Sequence, residues 1–459
     1  MAFRPRQVPH PLAPSPTPVG RERVGEGSGV RVFGILLVLL VHLTLLWIYY
    51  QPAPKVLAGD EAVYLAAANR ILDGQPAGLE MLWPPLYPWF LALLLKFGGG
   101  SLILVQAVQT LMLAAVALLL RDLWIRFEGR GPAADVLALT LLAYPPLAAF
   151  AHYLWPEVLH LALFAAALWI LAVKRREPAW LAALGLLLGL ALLTKSLLGP
   201  FLPALLLPLL LDGGWRVRLL RLAVVLAVLG TTVAPVVISS YQRHGVLAIA
   251  DSSRFNLWVG LNDRSRRGLE EPIAGGEYET YLASAADHRG RDRILDARIR
   301  DLVSERGWLG VLRDQLSRQY FRLFDKDSFL TDQLPGGGFA ARGRGYMDVP
   351  RPLAAVLRWA SYGLYALILA GAAFGIARTS PKARPWAWMV LAFLGYNLAI
   401  FLLLHVKSRY RVQFLPFLMV YACCALDAWR TRAPRFQTVA GAFGAVLLLF
   451  LAFGGAMLD

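Results

Sequence analysis

The sequence predicts an all-α protein that crosses a membrane many times. Three observations carry this. Hydrophobic residues make up 58% of the 459 and charged residues 17%, with a mean hydropathy of +0.54, well outside the averages of soluble domains. Apolar runs of about 20 residues, each enough for about 30 Å of hydrocarbon, recur along the chain. Lys and Arg gather in every second short connection between those runs, the pattern of cytoplasmic loops.

Taken in order, the first thirty residues are rich in Pro, Gly and Arg, lack apolar periodicity, and read as a disordered cytoplasmic tail. Residues 31–459 read as one transmembrane domain. Eleven spans are expected near 32–50, 101–120, 133–150, 157–173, 179–194, 197–211, 222–241, 353–377, 385–404, 411–428 and 436–456. An apolar helix near 85–97 is too short to cross and is expected along the membrane surface. The basic connections are Arg121/Arg126/Arg130, Lys174/Arg175/Arg176, Arg216/Arg218/Arg221, Arg378/Lys382/Arg384 and Arg430/Arg432/Arg435. With Arg4, Arg6, Arg21, Arg23 and Arg31 ahead of the first span, they place the N-terminus in the cytoplasm. The net charge of +16 is therefore topology, and nucleic acid is not an expected partner.

Two external segments exceed simple connections. The first, 51–100, holds interfacial helices. The second, 242–352, carries Ile294, Ile299, Leu302, Val303, Leu309, Leu312, Leu316 and Tyr320 at helical spacing among charges, as in amphipathic helices capping a membrane face. Glycines at 336–338, 343 and 345 suggest a mobile loop over 335–346. The only cysteines, Cys423 and Cys424, are adjacent in a span and cannot bridge each other. Metal motifs of the CxxC or HExxH type and nucleotide-binding glycine patterns are absent, so any sugar or group must arrive already activated.

Ionisable residues that intrude on the spans collect on the outer side: Asp60, Glu61, Glu157, Lys195, Lys407, Arg409 and Arg411. Unpaired charge at a bilayer edge is costly and usually functional. Each has a plainer reading. Asp60 could cap the helix that follows; Glu61 and Glu157 sit where a first helical turn welcomes acids. Lys195 could snorkel, Arg409 and Arg411 could hold lipid headgroups, and Trp83, Tyr87 and Trp89 suit an interfacial aromatic belt. Their conjunction on one face favours a polar site for a lipid-linked substrate.

Five stretches then carry a resemblance. Gly59-Asp60-Glu61-Ala62-Val63-Tyr64, Pro84-Pro85-Leu86-Tyr87, Trp155-Pro156-Glu157, Asn256-Leu257-Trp258-Val259-Gly260-Leu261-Asn262 and Ser408-Arg409-Tyr410-Arg411 resemble, in order and side, the motifs of GT-C glycosyltransferases. The branch is that of protein O-mannosyltransferases and lipid A aminoarabinose transferases. Leu261 is one residue more than the usual pattern, and Lys195 stands where many relatives have arginine. The resemblance implies a GT-C-like fold and an inverting transfer from a polyprenyl-phosphate sugar to an acceptor hydroxyl, at the external (periplasmic) face of the plasma membrane. The acceptor that the resemblance implies is a lipid, glycan or protein.

Asp60 and Glu61 are then the catalytic candidates, because a hydroxyl needs a positioned base. Arg409, Arg411 and Lys195 are suited to the leaving phosphate, both arginines reaching it from an extended 405–411 loop. Tyr64, Trp83, Tyr87, Glu157, Asn256, Asn262 and Tyr410 would line the groove. No metal is expected to be obligatory, although Asp60 with Glu157 could offer a divalent cation hard oxygens. The rival function is a transporter or flippase of lipid-linked glycans.

Overall fold

The computed structural model describes residues 26–50, 55–57, 59–79, 81–129, 131–262, 266, 273–379, 384, 386–428 and 434–458. Residues 1–25 of the expected tail, and Arg130, Lys382, Arg430 and Arg432 of the basic connections, lie outside the described residues. All regular structure among the described residues is helical.

Among the described residues six helices are long and apolar enough to cross a membrane: Val32–Tyr50, Leu102–Glu128, Trp215–His244, Arg351–Arg378, Trp386–Leu403 and Arg435–Phe453. A seventh passage is bent by 57°, between Pro132–Ala143 and Pro145–Ala151. The remaining expected spans are shorter apolar helices: Glu157–Val173, Pro178–Thr194, Ser196–Leu210 and Leu415–Leu426. Seventeen helical residues rise about 26 Å, short of the hydrocarbon thickness, so the count of eleven full-length spans is not what the structure displays.

Sequence chemistry explains the interruptions. Tyr144 is extended (ψ 109°) ahead of Pro145, the conformation a following proline imposes, and the two prolines there donate no N–H. The Pro178–Thr194 helix ends where Lys195 is extended (φ −147°, ψ 104°), before a 3-10 turn containing Pro200. Non-helical backbone at membrane depth must find internal partners. Two glutamines of the Leu102–Glu128 helix supply them: Gln106 donates to the His152 carbonyl at 2.8 Å, Gln109 to those of Ala151 and Tyr153 at 3.0 and 2.8 Å.

The helices pack through small residues, as apolar helices in lipid commonly do. A Cβ at Gly375 would come within 1.8 Å of the Tyr421 carbonyl oxygen, so the Arg351–Arg378 and Leu415–Ala428 helices touch backbone to backbone there. The first helix delivers the chain to the face that carries residues 55–60. Lys326, within the second external segment, donates its N–H to Ala452 at 2.9 Å, so the last long helix ends on that same face. Basic connections gather at the opposite end, where Asp135 takes Arg121, Asp212 takes Arg175 and Arg176, and Glu128 takes Arg384.

Two expectations for the external segments change. In the His288–Leu316 helix only Leu302 of the named periodic residues is buried, with Ile294, Ile299 and Val303 half-buried. Leu295 and Val311, outside that pattern, are buried as well, and Gly307 (φ 68°) breaks the helix. Beyond it Trp308, Leu309, Leu312 and Leu316 face outward. The glycine-rich 335–346 stretch is tethered by hydrogen bonds, although half of its residues are exposed. Asp332 accepts the Gly338 N–H at 2.6 Å, Arg358 donates to the carbonyls of Thr331, Leu334 and Pro335, and Tyr346 donates to the Val56 carbonyl. Its glycines permit close approach: a Cβ at Gly345 would lie 2.3 Å from the Gln333 oxygen.

Candidate active site

The first carboxylate sits at the start of the Glu61–Leu72 helix. Gly59 turns the chain with φ +54°, a conformation glycine adopts without strain. Asp60 occupies the capping position, yet its side chain caps nothing. It reaches across the fold to Arg409, with Nη2 to Oδ2 at 2.5 Å. The helix-cap reading of Asp60 is therefore set aside.

Arg409 is part of a 3-10 turn, Ser408–Gln413, and its guanidinium lies over the Trp155 ring at 5.0 Å and the Tyr410 ring at 5.3 Å. Lys195, turned out of the helix by the break after Thr194, pairs with Glu157 at 2.9 Å and lies 5.9 Å from the Tyr410 ring centroid. The snorkelling alternative for Lys195 is thus replaced by an ion pair. Tyr410 is braced by Phe401, stacked at 5.4 Å. The cluster reads, in space, Asp60, Arg409, Tyr410, Lys195, Glu157: two acids and two cations around one phenol, from segments 350 residues apart.

The charges set the state of Asp60. Burial pushes its carboxyl up, but Arg409, Lys407 and Lys195 outweigh this and hold it below the ordinary carboxylate range. Asp60 is therefore ionised and matched. A cation as close as Arg409 also makes it a weak base until something draws that cation away.

Other expected site residues go elsewhere. Glu61 is wholly buried, with Lys55 at 2.6 Å and the Leu154 N–H at 2.8 Å on the same oxygen. Arg411 is engaged apart from Arg409: both lie in the 3-10 turn, but Arg411 donates to the backbone carbonyls of Asp325 and Asp327 and lies 4.5 Å over the Tyr365 ring. The extended 405–411 loop is corrected to this turn from Ser408 onward. Tyr64 and Tyr87 pack edge to face at 5.1 Å, and Tyr87 donates to Gln109 at 2.9 Å, so Tyr87 belongs to the supporting core. Trp83 packs on Tyr278 of the external helices.

The asparagines of the 256–262 motif bond within their own helix, Asn256 to the Ser252 carbonyl and Asn262 to that of Trp258. The motif's work is packing. A Cβ at Gly260 would meet the Leu404–His405 backbone at 2.7 Å, and the Asn256 carbonyl accepts the His405 N–H at 2.7 Å. That contact places the strand of chain leading to Lys407 and Arg409. Trp155 and Lys55 were not singled out for the site from the sequence; Trp155 stands inside a motif already noted, whereas Lys55 gives no local signal.

As to a metal, Asp60 and Glu157 are each already paired with a cation. Among the described residues one other group, Asp251, His288 and Asp292, brings ligand atoms within 4.8 Å of one another, a donor set compatible with a divalent cation. Arg254 lies against it, 3.5 Å from Asp251 and 3.0 Å from Asp292.

Residues 83–241 match the family model described as dolichyl-phosphate-mannose-protein mannosyltransferase. This bears out the resemblance to GT-C glycosyltransferases; the matched stretch contains Glu157 and Lys195 but ends before Arg409 and begins after Asp60. Two solved structures are similar at low identity. One is ArnT from Cupriavidus metallidurans bound to undecaprenyl phosphate, 16% identical over 91% of this chain and 78% of that one, with a TM-score of 0.38. The other is the same protein in the apo state, 17% identical over 92% and 78%, also with a TM-score of 0.38. No curated protein matches the chain.

Proposed function

We propose that this membrane glycosyltransferase transfers a sugar from a polyprenyl-phosphate donor to an acceptor hydroxyl at the external membrane face, with inversion. The observation that supports the reading is the Asp60–Arg409 contact, a carboxylate suited to act as base beside a guanidinium suited to a phosphate. The acceptor hydroxyl gives its proton to Asp60 as its oxygen attacks the anomeric carbon. The bond from that carbon to the phosphate oxygen breaks, and its electron pair leaves with the polyprenyl phosphate. Arg409 and Lys195 hold the charge that develops there. One displacement inverts the anomeric centre. Phosphate is a good leaving group, so no carboxylic acid need protonate it, and Glu157 serves by orienting Lys195. A cation at Asp60 is already supplied by arginine, so transfer proceeds in the presence of a chelator; loss of activity in chelator, restored by magnesium or manganese, contradicts that part.

The test uses purified protein in nanodiscs with a polyprenyl-phosphate sugar and a cell-envelope extract. Lipid phosphate released in step with sugar transferred, and lost in Asp60→Asn, supports the reading. Movement of the lipid-linked sugar across vesicles without transfer would instead identify a flippase.

A further inference from the structure

Directly behind the reacting pair stands a second, fully enclosed one. We infer that Lys55 and Glu61 form a positioning clamp that sets Asp60 against Trp155, and through Trp155 against Arg409; the inference rests on the function proposed above. Glu61 exposes no surface, so no acceptor hydroxyl can reach it, and the adjacency of two acids in sequence does not make them partners in chemistry. What Glu61 holds is specific. One of its oxygens takes both the Lys55 ammonium at 2.6 Å and the Leu154 N–H at 2.8 Å. Glu61 is the covalent neighbour of Asp60, and Leu154 that of Trp155, the ring on which the Arg409 guanidinium rests at 5.0 Å.

A single carboxylate oxygen therefore fixes the distance between the segment bearing the base and the segment bearing the floor of the cation site. Lys55 completes the clamp from the non-helical segment beyond the first helix, with its ammonium 5.3 Å from the Tyr49 ring centroid and 5.7 Å from that of Tyr153. The packing is close enough to transmit a shift: a side chain at Gly59 would lie 3.3 Å from the Trp155 ring. Stability is weak ground for the pair, because buried ions are commonly replaceable by apolar residues at no loss. What the geometry needs is the bond from the Leu154 N–H to the residue-61 oxygen, with Lys55 matching the charge of that oxygen.

The test compares Glu61→Gln with the double variant Lys55→Met/Glu61→Gln. Glutamine still accepts the Leu154 N–H but leaves Lys55 as a buried, unmatched cation; methionine then removes that cation and fills its place between the rings. Glu61→Gln is expected to lower kcat at least tenfold while the Kd for a polyprenyl monophosphate, measured by calorimetry, stays within twofold. The double variant recovers most of the lost kcat. A Glu61 that acted on the substrate would leave the double variant as inactive as the single one, and Glu61→Gln at wild-type kcat would show the clamp to be idle; either result overturns the inference. Should the single variant not fold, the double variant decides alone, with kcat within a few-fold of wild type supporting the clamp and a tenfold loss refuting it. Electron cryo-microscopy of the single variant, or of the double if only that folds, gives a readout independent of transfer. The Trp155 ring should lie displaced from Arg409 in Glu61→Gln and in register in the double. If the wild-type protein moves no sugar from any polyprenyl-phosphate donor, the proposed function fails, while this displacement still tests the clamp.

Discussion

At the scale of single residues, the Asp60–Arg409 pair makes opposite demands on its two members. Arg409→Ala removes a charged donor to the leaving phosphate and should weaken donor binding by about 1.5–3 kcal/mol, the usual size of such a bond. Asp60→Asn should abolish transfer, yet bind the donor at least as tightly as wild type, because Arg409 no longer has a carboxylate to leave. Calorimetric titration of both variants checks this; equal losses of affinity would make Asp60 a structural acid. The pH dependence follows from the same pair. Asp60 is held below its ordinary value of about 3.9, so the acid limb of kcat/KM, which reports the free enzyme, should fall below that value. Once the donor phosphate draws Arg409 away, the carboxyl loses its main cation and rises, and the acid limb of kcat should lie at higher pH. Coincident limbs would mean that Arg409 stays on Asp60 throughout. The sign for stability agrees: a depressed carboxylate stabilises the fold above its unfolded value and ceases to as pH falls through the depressed one.

At the scale of elements, the site exists because helices stop where the sequence makes them stop. The Tyr144–Pro145 break and the Lys195 break interrupt two apolar runs, and Gln106 and Gln109 satisfy the carbonyls that the first one exposes. Gln109→Leu strands two buried carbonyls and the Tyr87 hydroxyl, each worth about 1–3 kcal/mol. A clear drop in detergent melting temperature is expected, with loss of transfer. Thr110→Ala, which removes only a bond to its own helix, should melt close to wild type. Similar melting of both variants would show that the 151–153 backbone finds other partners. The 256–262 motif is an element-scale device as well: read as a binding motif from its asparagines, it works through Gly260, where one helix lies on the backbone that leads to the cations.

At the scale of the whole molecule, the ends of the first and last long helices share one face, which requires an odd number of passages between them. Single cysteines at Leu247 and Met457, both exposed, should label from the same side of the membrane, and one at Trp215, also exposed, from the other. The native Cys423 and Cys424 are buried and give little background. Labelling of Met457→Cys from the Trp215 side would remove one passage and with it the common face.

The sequence by itself determined the helical membrane class, the apolar runs, the alternation of basic connections and the face on which the acids and cations collect. These are properties of composition and period, and each is local. It also grouped Asp60, Glu61, Glu157, Lys195, Lys407, Arg409 and Arg411 together, because charge is rare in such a chain and so stands out. Only the tertiary structure decided which charges meet. Asp60 and Glu61 are neighbours in sequence, yet one faces Arg409 and the other is enclosed with Lys55. Arg409 and Arg411 are two apart, yet a 3-10 turn sends them to different partners. Such partitions depend on contacts between residues up to 349 positions apart. Hydropathy fixes the depth of a segment in the membrane but not its rotation, and rotation is set by the neighbouring helices that pack against it.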